Sequence, residues 1–102
     1  MFSYNGKEYE LKFTLERIEL VENYLKMPTV ADIARTNGAL SIGAIKTYFG
    51  HCLKEVGSDT FVPRKEGTQI AVDLMEKEGY LKVNNMLIEK MSQDLPFLFQ
   101  GA

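Results

Sequence analysis

His51 and Cys52 are the two side chains in this sequence best suited to nucleophilic chemistry, and they stand next to each other. A Cys–His dyad needs the imidazole turned toward the thiol so that it can take up the thiol proton. Neighbours on a helix point about 100° apart and do not face each other. Cys52 falls in step with Ile42, Ile45, Phe49 and Val56 at three- and four-residue spacing, whereas His51 keeps company with Lys46, Thr47, Lys54 and Glu55. The pattern predicts a buried structural thiol and an imidazole on the polar face. Ser3, Ser41, Ser58 and Ser92 read as strand, cap, turn and helix positions with no base beside them. Glu8 and Glu10 share one face of a strand, and Glu76 and Glu78 lie among lysines, so both pairs read as solvated surface. With one histidine and one cysteine, no disulfide framework, C-x-x-C zinc pair or multi-histidine centre can be assembled. No H-E-x-x-H, EF-hand, G-x-G-x-x-G or G-x-x-x-x-G-K-[ST] pattern occurs. The expectation is a protein that is not an enzyme, with no catalytic residue, cofactor or metal.

Ile33-Ala34-Arg35-Thr36-Asn37-Gly38, followed by a helix capped at Ser41, resembles the first helix and turn of a helix-turn-helix. The second helix would open Ile42-Gly43-Ala44-Ile45, which carries no side chain able to read a base edge. Twelve basic residues face fourteen acidic ones, a formal charge of −2, which does not suit a protein that neutralises many phosphates. No nucleic-acid partner is expected. A small DNA-binding regulator stays as the alternative, with Lys46 and Lys54 as the residues it would need.

The elements that position these residues are legible in outline. A chain of 102 residues, 45% hydrophobic and 25% charged, suits one domain with one core. No apolar run exceeds three residues, so neither a membrane span nor a signal-peptide core is expected, and a cytoplasmic location fits best. Asn5-Gly6 predicts a type I′ hairpin that sets Tyr4 against Lys7, Ser3 against Glu8 and Phe2 against Tyr9. One face of it then carries Phe2, Tyr4, Tyr9, Leu11 and Phe13. Thr14 caps a helix with Leu15, Ile18, Val21 and Leu25 inward, widened by Tyr24, until Met27-Pro28 interrupts it. Thr29 to Asp32 resembles a capping arrangement opening a short helix that stops at Asn37-Gly38. Ser41 caps the central core helix, which Gly57 ends, with Gly50 inside it closely packed by a neighbour. Two further helices run from Arg64 to Glu78, ended by Gly79, and from Tyr80 to Asp94, closed by Pro96. The expected class is α+β and mostly helical: a hairpin (1–13), packed on about five α-helices (14–95), then an apolar tail (96–102).

Two apolar segments stay unassigned by this scheme. In the hairpin register Met1 opposes Glu10, so Leu11 to Phe13 continue with no partner strand. Either the chain supplies a third strand, or the strand end simply frays, or another subunit pairs there. Phe97, Leu98 and Phe99 follow a proline with no charge among them. They either fold back, filling the core or adding the missing strand beside Leu11 to Phe13, or stay exposed as a contact with another chain. Leu11, Phe13, Phe97, Leu98 and Phe99 are therefore the expected protein-interaction residues.

The order of elements resembles the tail assembly chaperones of long, flexible-tailed (siphovirus-type) bacteriophages, in the short form found in phages of Gram-positive bacteria. The likeness is carried by the opening FSYNGKEYELKFTLERIELVE, the central LSIGAIKTYFGHCLKE and the closing EKEGYLKVNNMLIEKMSQDLPFLFQ. It implies a non-enzymatic protein of the infected host's cytoplasm. Such a protein binds the tape measure protein and keeps it soluble while tail tube protein polymerises around it, and is absent from the mature virion. Self-association and a longer frameshifted form of the chain are implied as further partners, and a stop just after Phe97-Leu98-Phe99-Gln100 suits the short product. A structural connector of the virion is a further alternative.

Overall fold

In the computed structural model, which describes residues 1–99, Asn5 and Gly6 take positive φ values of 50° and 79°. Two successive left-handed residues are what a type I′ turn requires, and its twist matches that of the strands it joins. β1 (Phe2–Tyr4) and β2 (Lys7–Leu11) pair antiparallel in the register the turn dictates, Phe2 opposite Tyr9 and Tyr4 opposite Lys7. The other edge of β2 is taken by β3 (Leu53–Glu55), giving the sheet order β1-β2-β3. Leu11 faces Leu53 and Tyr9 faces Glu55. The N–H of Lys12 reaches the Cys52 carbonyl at 2.8 Å, and that of Val56 reaches Glu8 at 2.9 Å.

The third strand thus comes from the chain itself, out of a stretch expected to be helical. Helix α3 (Ile42–Cys52) stops at Cys52, and Leu53 turns extended with φ −95° and ψ 137°. Leu53 and Val56 prolong the helical spacing, yet another turn of helix would leave the β2 edge unpaired at buried Leu11. Pairing with β2 satisfies those backbone groups and buries Leu53 completely. The outer edge of β3 is partly covered in turn, because Val62 N–H bonds the Leu53 carbonyl at 2.8 Å.

α1 (Leu15–Leu25) starts where the Thr14 hydroxyl accepts the Arg17 N–H at 3.2 Å. It lies against α3, which covers Ile18 and Val21 but leaves Leu15 and Tyr24 exposed, unlike the wider stripe expected. α2 (Thr29–Thr36) is preceded by Pro28, so Thr29 is its first residue and not its cap. The missing cap oxygen comes from α1: the Glu22 carboxylate accepts the Thr29 N–H at 2.6 Å. Ser41 caps α3 as expected, accepting the Ala44 N–H at 3.0 Å. Ile42, expected inward, points to solvent in the first turn.

α4 (Arg64–Glu78) and α5 (Tyr80–Asp94) are divided at Gly79, whose φ of 94° only glycine adopts readily. Ile45, Tyr48, Phe49 and Cys52 make α3 the centre of the core, with α1 and α4 packed on it. At the α3–α4 crossing Gly50 and Gly67 let the two backbones meet. α5 is tied to the start of α3 by Asn84. Its side chain accepts the Leu40 N–H at 3.0 Å and donates to the Gly38 carbonyl at 2.7 Å. The fold of the described residues is α+β and mostly helical: five α-helices and a three-stranded sheet that joins the N-terminal hairpin to a strand from between α3 and α4.

Candidate functional site

The side chains expected to meet a partner divide into two groups. Leu11 and Phe13 are core, at 3% and 2% exposure. Leu11 ends the middle strand of the sheet, opposite Leu53. The Phe13 ring meets Tyr48 edge-on at 6.3 Å, and its N–H donates to Asp94 Oδ2 at 2.9 Å. Neither is available to another chain. This corrects the interaction role given to both: β3 pairs with β2 as far as Leu11, and the Phe13 ring beyond it is packed on α3.

The C-terminal segment behaves differently. Pro96–Phe99 forms a single 3₁₀ turn that continues from α5. Three residues complete a turn in this geometry, so residues three apart lie on one side. Leu95 is buried, Leu98 packs on the core, and the Leu98 N–H bonds the Leu95 carbonyl at 3.1 Å. Phe97 and Phe99 consequently project outward, 49% and 39% exposed. The turn therefore splits the two readings of the tail: Leu98 fills the core edge, and the two aromatic rings do not. Gln100 to Ala102, the rest of the predicted tail, lie outside the described residues.

The adjacent His51 and Cys52 form no dyad. Cys52 is fully buried, and burial pushes its thiol up to about 12, against the opposing influence of Arg17. His51 points away from it, about 100° further round the helix, with its Nδ1 3.0 Å from the Thr47 carbonyl. Among the described residues no group of three or more His, Cys, Asp and Glu is placed to hold a metal ion. None of the described helices is long and apolar enough to cross a membrane.

The sequence did not point to a second surface, a groove of about 420 Å³ between α1, α3 and α4. α3 forms its floor with Gly43, Lys46, Thr47 and His51, while Tyr24 and Arg64 rise from α1 and α4. The Tyr24 and His51 rings lie 5.8 Å apart. The Arg64 guanidinium sits 5.3 Å from the Tyr24 ring centre, and its Nη1 is 3.4 Å from the phenol oxygen. Lys46 and Arg64 make no ion pair among the described residues. The lysine at position 46 and the three-residue step from Gly43 are visible in the sequence. Their meeting with Tyr24 and Arg64, from two other helices, is not.

Comparison with known proteins does not name a family. No family model, curated protein or solved structure matches this chain. Its functional reading rests on its own surfaces and on the likeness of its sequence layout.

Proposed function

We propose that this protein is a phage tail assembly chaperone, a non-enzymatic holder of the tape measure protein during tail tube assembly. The observation that carries the reading is the pair Phe97 and Phe99, held outward on a turn whose intervening Leu98 is anchored in the core. A holder needs apolar surface that stays soluble when free and is covered by the client when bound. Covering the exposed parts of both rings is worth about 4 kcal/mol at most, by area. That is no more than the translational and rotational freedom lost on association costs. One such contact is too weak to be permanent, which fits a protein that must leave. Several copies along a long client would hold it by avidity. In this reading the protein acts in the cytoplasm of the infected bacterium. Its partners are the tape measure protein, further copies of itself, a longer frameshifted form and, in passing, tail tube protein.

The regulator reading has less support. α3, which would have to enter a DNA groove, is packed between α1 and α4 with seven of its eleven residues buried. Co-expression with a tape measure protein tests the proposal. The wild type is expected to raise the client's soluble fraction, and Phe97→Asp and Phe99→Asp to lose that effect while the far-UV spectrum and melting temperature stay unchanged. A pull-down without detectable association counts heavily against it. Mass spectrometry of purified particles separates a chaperone from a virion connector, since only the connector stays in the particle.

A further inference from the structure

The groove between α1, α3 and α4 contains a glycine that the protein's own packing does not explain. Gly50 and Gly67 lie at the α3–α4 crossing, where an added Cβ would crowd the facing helix. Gly6, Gly38, Gly57 and Gly79 sit in turns at positive φ. Gly43 has neither reason: its φ is outside that range, and a Cβ there would find nothing nearer than Ser41 Oγ at 4.0 Å. A glycine in a helix is unfavourable relative to alanine. No internal contact needs that space, so the Gly43 backbone is open to close approach from outside the chain.

The surroundings define what approaches. Lys46 and Arg64 line the groove without a carboxylate partner among the described residues, and no acidic side chain lines it. The Arg64 guanidinium is already steered over the groove by its contact with Tyr24. Tyr24 and Leu25 add apolar surface along one wall. We infer that this groove docks an acidic segment of a different protein, with carboxylates on Lys46 and Arg64, an apolar side chain on Tyr24, and its backbone against Gly43. Two cations next to an aromatic wall suit carboxylates interleaved with apolar residues better than a phosphate backbone, and the chain as a whole is acidic. The inference stands apart from the tail turn and does not need the client to be a tape measure protein.

The test is a titration of the full chain, labelled with ¹⁵N, by a blocked twelve-residue peptide alternating Glu with Leu and Ala. The control peptide carries Gln in place of every Glu. Binding of the Glu peptide is expected to move the amide signals of Gly43 and Lys46 and the side-chain signal of Arg64, with the Gln peptide silent. Lys46→Glu and Arg64→Glu are each expected to weaken binding about tenfold or more. Gly43→Ala is expected to melt higher than wild type and yet bind the peptide more weakly, which a purely structural glycine cannot do. Phe97→Asp is expected to bind it normally, so this result does not depend on the fate of the chaperone reading. Absence of shifts at millimolar peptide overturns the inference, as does binding that Gly43→Ala leaves intact. Tighter binding of a short DNA duplex through the same signals overturns it, and so does a change of sedimentation state on Lys46→Glu, which would identify a second copy as the occupant.

Discussion

Replacing Gly67 by alanine puts a methyl carbon 2.5 Å from the Phe49 carbonyl oxygen and 3.1 Å from the Gly50 Cα. Both are backbone atoms of α3, so no side chain can swing aside. α3 and α4 must move apart by about 1 Å to restore an ordinary contact distance. Overpacking of this kind costs typically 1–3 kcal/mol, and the helix-propensity gain of alanine offsets about 1 kcal/mol of it. The net loss for Gly67→Ala is about 2 kcal/mol, since the obstacle is rigid. For a domain of this length each kcal/mol is worth about 4–8 °C of melting temperature. Gly50→Ala meets only softer neighbours at close range, Thr68 Oγ1 at 3.0 Å and Arg64 Cγ at 3.1 Å, with the Arg64 carbonyl farther off at 3.4 Å. Its net effect should lie within about 0.5 kcal/mol of zero. Gly43→Ala, with open space before it, should gain about 0.5–1 kcal/mol. Urea unfolding followed by circular dichroism measures all three, and the slope with denaturant should not change. If Gly67→Ala is as stable as Gly50→Ala, the two helices do not meet backbone to backbone, and the account of the crossing is refuted.

Three other expectations follow from single contacts. Asn84→Ala leaves the Leu40 N–H and the Gly38 carbonyl without their partner, so chemical denaturation should show a loss of about 2–3 kcal/mol; a loss under 1 kcal/mol contradicts the bridging role. The Tyr4 hydroxyl donates to the Asp73 carboxylate, which this bond and a second from Gln69 hold below the ordinary 3.8, while the Tyr4 phenol is raised above 10.0, chiefly by the same bond. Stability from a lowered carboxyl is present above its ordinary value and fades as pH falls through the folded one. Stability from a raised phenol is present below 10.0 and fades as pH rises through the folded value. Tyr4→Phe should therefore be less stable than wild type between these limits, with the difference shrinking at both ends, and the Asp73 titration followed by NMR should move upward. A difference that is flat from acid to alkali rules the pair out as its source. Finally, the Cys52 thiol, fully buried and pushed up to about 12, should react with a disulfide reagent at pH 8 only at the rate of unfolding. Rapid labelling of the folded chain would place the thiol at the surface.

The local signals in the sequence carried most of the architecture. Asn5-Gly6 determined the hairpin register, and Gly79 and Pro96 marked the limits of the last two helices, because turn chemistry acts over a few residues. What failed was the end of α3. Leu53 and Val56 are spaced as a helix, and the force that pulls them into a strand is a ladder of bonds to β2, far away in sequence. The unpaired run at Leu11 to Phe13 showed that a strand was missing but not which residues would provide it. The same gap misplaced Leu11 and Phe13 as contact residues. The tail was legible in part: an uncharged Phe-Leu-Phe segment after proline marked the place, and the three-residue turn decided that Leu98 goes inward and the two rings outward. The groove was invisible because three helices build it, and only the backbone shows that Gly43 is free of internal duties.

α3 passes into β3 at a single peptide link, with no loop between Cys52 and Leu53. The helix and the strand therefore behave as a shaft keyed into a rack. Rotating α3 by one residue would drag Leu53 one place along β2, and the alternation of a strand would turn it from the core to water. Sliding α3 along its neighbours would break the same ladder. The central helix has no gear to shift into, so partners must be met by surfaces already set in place, and amides of β2 and α3 should exchange their hydrogens together, as one opening unit.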